Sequence, residues 1–178
     1  MMTEFRLARL NDLQLSATPS AVIGSLALWL VLSGIARGLL RLPLADALIG
    51  ALAAVALHWL SETIHQLGHA RAARQTGYPM LGIRYWGVLS TSIYPPDEPA
   101  LPAELHIQRA LGGPLMSSNV VIAAAVILFV LRLGSTTGAL WWLAIFFLLD
   151  NLLVFTLGSL LPLGFTDGST LLHWRGKQ

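Results

Sequence analysis

Cysteine does not occur in this 178-residue chain, which excludes disulfides and leaves any bound metal to imidazole and carboxylate rather than thiolate. Charge is scarce as well: only 11% of the residues are Asp, Glu, Lys or Arg, and the single lysine is Lys177. The basic side chains are scattered rather than gathered into a stripe, so nucleic acid is not an expected partner. What fills the chain instead is apolar. Hydrophobic residues make up 55% of it, more than a soluble core of ordinary composition holds, and a polytopic membrane protein is the expected class. The opening, with Glu4 and a mixed stretch up to Ser20, lacks the basic-then-apolar order of a cleaved signal, so the first span is expected to stay in the mature protein.

Four long apolar stretches follow, Ala21–Leu40, Ala45 to about Arg74, Leu111–Leu131 and Ala139–Leu161. Each is near or above the roughly 20 residues a helix needs to cross hydrocarbon. Before them, Phe5–Ser16 alternates apolar and polar residues around Asn11-Asp12, which reads as a short β-hairpin. Between the second and third stretches, Gln75–Gln108 is too rich in proline for a helix, and Ile83, Tyr85, Val88 and Ile93 suggest one or two strands there. The expected fold is therefore α-helical and polytopic, a single domain over 1–178. It has about four transmembrane helices, an N-terminal β-hairpin and a small strand-containing loop between helices 2 and 3. Four spans put both termini and the long loop on one side, with Arg6, Arg9, Arg71, Arg74, Arg84, Arg109, Arg175 and Lys177. Arg37, Arg41 and Arg132 lie opposite, so the termini are expected in the cytoplasm, of a prokaryotic plasma membrane.

Ionisable groups inside hydrocarbon cost on the order of 3 kcal/mol each, so those present have partners or functions. On a helix turning about 100° per residue, His58, Glu62, His65 and His69 share one face, and Gln66 flanks it. His65 and His69, one turn apart, can give a metal ion two ligands, and a catalytic zinc needs a third from elsewhere plus an open position. Asp167, after the irregular break Leu160-Leu161-Pro162-Leu163-Gly164-Phe165-Thr166, is the choice for that third ligand. Asp150, beside Asn151 in mid-span, reads as an interhelical hydrogen-bonding residue, as does the lone His58, while His106 and His173 read as surface residues at the membrane edge. In the zinc-peptidase motif H-E-x-x-H the residue after the first His is the general base, and here it is Gln66, whose amide accepts no proton. Two readings of Glu62 stay open: a substitute base or extra ligand, or a carboxylate that only orients His58 or His65.

These residues resemble the site-2 protease family of intramembrane zinc metallopeptidases, and the likeness runs over nearly the whole chain. Phe5–Leu10 followed by Ala17-Thr18-Pro19-Ser20 is similar to its N-terminal hairpin. His65-Gln66-Leu67-Gly68-His69-Ala70 and Gly77-Tyr78-Pro79 are similar to its H-E-x-G-H-A segment and sequel. Glu98-Pro99 through Ala110-Leu111-Gly112-Gly113-Pro114-Leu115 resembles the approach to its Ala-Gly-Pro motif, and Leu160-Leu161-Pro162 with Asp167-Gly168 its Asn-Leu-Leu-Pro and Asp-Gly motif. The resemblance implies zinc on His65, His69 and Asp167, and hydrolysis of a single-span membrane-protein substrate within the bilayer. Its departures are Gln66 for the base, Ser159 and Ser117 where the family has Asn, and a Trp86–Ser90 loop without paired glycines. A chain with Gln66, native or introduced, has a second expected role as an inactive pseudoprotease that binds membrane-protein clients. Five His with one H-x-x-x-H pair are too few for a membrane di-iron oxygenase, and His is absent from spans one, three and four, as a haem bundle does not allow.

Overall fold

The structure, a computed structural model, describes residues 4–177. It opens on a hairpin of β1 (Phe5–Leu10) and β2 (Leu13–Ala17). Asn11 makes the turn at φ 52°, a left-handed conformation that Asn tolerates better than most residues. After two long helices, α1 (Pro19–Gly38) and α2 (Leu44–Gln75), the strands β3 (Gly82–Trp86) and β4 (Leu89–Ile93) form a second hairpin. The sequence suggests the first hairpin and one or two separate strands in the long loop. The structure joins them in one four-stranded sheet of order β1-β2-β3-β4, with β2 and β3 parallel and Ala17 opposite Tyr85. The reason is that β2 and β3 share a buried face: Leu13, Ala17, Ile83 and Tyr85 close one core with Ala21, Ala73 and Met80. Pairing also satisfies backbone groups along β2 that its own hairpin leaves open.

Four helical segments are long and apolar enough to cross a membrane, and the chain is an integral, multi-pass membrane protein. They are α1 (Pro19–Gly38), α2 (Leu44–Gln75), α3 (Ala103–Leu133) and a composite segment, Ala139–Leu160. Proline at the first position of α1 loses nothing there, because that N–H has no helical partner in any case. Large apolar side chains such as Ile23, Leu30, Ile122 and Phe129 are exposed on the outer faces, as a lipid-facing surface requires. Helix α3 begins at Ala103, eight residues before the apolar run suggested, because the proline-rich segment ends at Pro102 and Glu104 sits in the first turn.

The composite fourth span starts as α4 (Ala139–Leu149), widens into a π-helix over Asp150–Leu157 and tightens to a 3₁₀ turn at Gly158–Leu160. Such π segments are frequent at functional sites. A short helix that sequence reading did not anticipate, α5 (Asp167–Trp174), follows the break. Helices α2 and α3 cross at glycine: a Cβ on Gly112 would lie 2.5 Å from the Gly68 carbonyl oxygen and 2.7 Å from Ala72 Cβ. Close backbone approach over small residues is how helices associate where lipid removes the hydrophobic driving force. It also places the start of α3 against the polar face of α2.

Candidate metal centre

The helical spacing of His65 and His69 brings their Nε2 atoms to 3.1 Å of each other. From the first turn of α5, Asp167 sets one carboxylate oxygen 3.3 Å from each, Oδ2 toward His65 and Oδ1 toward His69. Both imidazoles are buried, and each has its other nitrogen occupied. His69 Nδ1–H donates to the Arg109 carbonyl oxygen at 2.8 Å, and His65 Nδ1–H donates to Ser117 Oγ at 3.0 Å. With the protons on Nδ1, two Nε2 lone pairs and a carboxylate converge on one point, a repulsive arrangement that a cation reconciles. Tetrahedral zinc with bonds of about 2.0–2.1 Å holds its ligand atoms roughly 3.3 Å apart, the spacing found here. The three residues chosen from sequence are brought together, and Ser117, noted there only as a departure, is what orients His65.

Gly113 keeps the point of convergence clear. A Cβ built on it would lie 2.5 Å from His65 Nε2 and nearer still to His69 Nε2, so any side chain at 113 fills the space a metal ion needs. Beside the triad lies a cavity of about 770 Å³. Its lining includes Glu62, Gln66 and Asp167 and, from the π-helix and the break, Leu153, Phe155 and Leu163.

Glu62 and Gln66 are buried and face strand β4: Ser90 Oγ donates to the Glu62 carboxylate, and Ser92 Oγ donates to Gln66 Oε1 at 2.8 Å. Of the two readings of Glu62, the one in which it orients His58 or His65 finds no hydrogen bond: among the described residues its partner is Ser90. His58 is held by Asp150, with Nδ1 3.1 Å from Oδ1, and its Nε2–H donates to the Val88 carbonyl at 2.7 Å, so this pair makes the interhelical bond expected of it. His173 is exposed, but His106 is not the surface residue anticipated. It is half-buried, stacked on Trp174 with ring centroids 4.1 Å apart and planes 4° from parallel, and it lines the cavity. Ser159 bonds back to its own helix, to the Phe155 carbonyl at 3.0 Å.

Arg109, which the sequence places only among the loop charges, is a buried neighbour of the triad through its carbonyl bond from His69. Only 5% exposed, it donates to Glu98 at 2.5 and 3.0 Å and to the Tyr78 carbonyl at 2.6 Å, and its guanidinium stacks 4.3 Å from the Tyr94 ring. Hydrogen bonding to that guanidinium holds the Glu98 carboxyl below the usual carboxylate range. A depressed acid stabilises the fold above the unfolded-state value and loses that contribution as pH falls through its folded value. Arg109→Ala leaves the half-buried Glu98 without its partner and removes the buried guanidinium, so the fold loses both the ion pair and the packing on Tyr94. Thermal unfolding in detergent should show a large fall in Tm for Arg109→Ala near neutrality and a smaller one for Glu98→Gln, whose amide oxygen still accepts. The gap between parent and Arg109→Ala should narrow below about pH 4; an unchanged gap there would remove the ion pair from the explanation.

No protein-family model and no curated protein sequence matches the chain. Among solved structures it is similar to a site-2 protease from Methanocaldococcus jannaschii, with 17% identity and a TM-score of 0.66 over 96% of this chain and 70% of that one. At that identity the likeness shows the fold: four membrane-crossing segments with a small sheet laid against the second.

Proposed function

We propose that this chain is a zinc-binding intramembrane peptidase of site-2 protease type, handicapped at its base position by Gln66. The observation that carries the reading is the convergence of His65, His69 and Asp167 beside a glycine gap, at a cavity between membrane-crossing helices. The substrate proposed is a single-span membrane protein whose helix unwinds locally to enter the cavity, and both termini of the enzyme are cytoplasmic by the balance of basic residues. Zinc, when bound, acidifies water to near neutrality and polarises a carbonyl.

The chain's own residues supply the remaining roles. Asp167 and the two imidazoles hold the ion, while Ser117 and the Arg109 carbonyl keep the Nε2 lone pairs turned toward it. Gln66 donates hydrogen bonds but accepts no proton. Glu62, the acidic residue on the same helical face, lines the same cavity and is tied to no histidine. It stands about 6 Å N-terminal of Gln66, so as proton acceptor it works at a disadvantage, taking a proton from the attacking water and returning it to the leaving amine. Gln66 also favours a second reading, in which the same cavity holds a membrane-protein client without cutting it.

Metal analysis of protein purified without chelator tests the shared part. One zinc per chain is expected for the parent, and a large loss in His65→Ala and Asp167→Ala. A parent free of transition metal after zinc supplementation would end both readings.

A further inference from the structure

Strand β4 lies along α2, and polar contacts join them at a matched period. His58 bonds the carbonyl of Val88, in the turn just ahead of β4, and on the strand itself Ser90 donates to Glu62 and Ser92 to Gln66. Those are steps of four residues on the helix and two along the extended segment 88–92. Four helical residues rise about 6.0 Å and two strand residues about 6.6–6.8 Å, so the contacts stay in step for three rungs. The first rung is fixed from a further side, because Asp150 of the π-helix bonds the other nitrogen of His58.

We propose that Ser90 and Ser92 are positioning residues, whose hydroxyls set the Glu62 carboxylate and the Gln66 amide against the metal-ligand cavity. The proposal rests on the peptidase reading of that cavity and deepens it. Hydroxyls on membrane helices commonly turn back on their own backbone, as Ser61 does to Leu57 and Thr63 to Trp59. Ser90 and Ser92 instead project from one face of a strand and reach the two side chains of α2 that line the cavity but ligate nothing in the triad. Packing alone requires no hydroxyl at either position. With Oε1 engaged by Ser92, the Gln66 NH₂ has no acceptor among the described residues, and it remains available to a carbonyl entering the cavity. The strand therefore sets the direction in which both groups act.

The test uses the full chain with zinc. Infrared difference spectra of the parent against Glu62→Gln assign the Glu62 carboxyl band. The band should shift in Ser90→Ala, shift less in Ser90→Thr, which keeps the hydroxyl, and stay in place in Ser92→Ala. In Gln66→Glu protein, adding Ser92→Ala should lower kcat about tenfold or more with KM little changed, the effect of one hydrogen bond to a charged group. Adding Ser92→Thr should retain the rate, and zinc content should be the same throughout. An unmoved Glu62 band in Ser90→Ala overturns the proposal, as does an unaltered kcat in the Ser92→Ala double variant. If Gln66→Glu protein binds no zinc and cuts nothing, the peptidase reading fails separately, and the infrared shift still decides whether the strand hydroxyl sets Glu62.

Discussion

Gln66→Glu is expected to raise the rate of cleavage of a tethered single-span substrate by about 10²–10⁴, the usual worth of general acid–base assistance, if the chain is the peptidase proposed. The substitution exchanges an NH₂ for an oxygen and changes little else, because Ser92 Oγ already donates to the oxygen that both side chains share. Position 66 directly follows the first histidine of the triad and lines the cavity, so a carboxylate there receives the water proton over a shorter path than Glu62 does, one turn away. Glu62→Gln in the parent removes whatever turnover the parent has, and in Gln66→Glu protein it has a small effect. Initial rates in proteoliposomes at fixed zinc measure all of these. No turnover in the parent, with turnover in Gln66→Glu, assigns the natural chain to client binding; equal rates in the parent and both single variants overturn both assignments of the proton acceptor.

The candidate metal site is legible in the sequence because a helix repeats at short range. His65 and His69 lie one turn apart whatever the rest of the chain does, and Asp167 stood out as an acid next to a broken span. The groups that orient those ligands were not legible. A main-chain carbonyl such as that of Arg109 leaves no mark on a sequence, and Ser117 became a hydrogen-bond acceptor for His65 only through the crossing of α2 and α3 at Gly68 and Gly112. The same holds for Glu62. Its azimuth on α2 was readable, but its partner is a strand serine 28 residues away, and the sheet carrying that strand exists because β2 and β3 pair across a whole helix hairpin. The π-helix has a similar cause, since its composition reads as an ordinary apolar span. Its widened turns begin at Asp150 and Asn151, which turn inward to His58 and Ser61, and run on to Leu157.

Gly113→Ala is expected to abolish zinc binding while leaving the fold in place, and it separates the metal site from its scaffold more cleanly than removal of a ligand. The new methyl would sit where the two Nε2 lone pairs converge, 2.5 Å from His65 Nε2, so the imidazoles must swing away from each other before a cation can enter. Elsewhere the change is mild: alanine is a better helix former than glycine by about 1 kcal/mol, and residue 113 lies inside α3. Gly112→Ala provides the contrast, since its methyl would press on the Gly68 carbonyl and Ala72 and loosen the α2–α3 crossing. Ligand binding to the folded state alone adds stability by mass action, so chelation should lower the Tm of the parent and leave that of Gly113→Ala unchanged, near the chelated parent. Gly112→Ala should lose Tm with or without chelator. A full complement of zinc in Gly113→Ala, or a Tm that still responds to chelation, would place the ion somewhere other than between His65, His69 and Asp167.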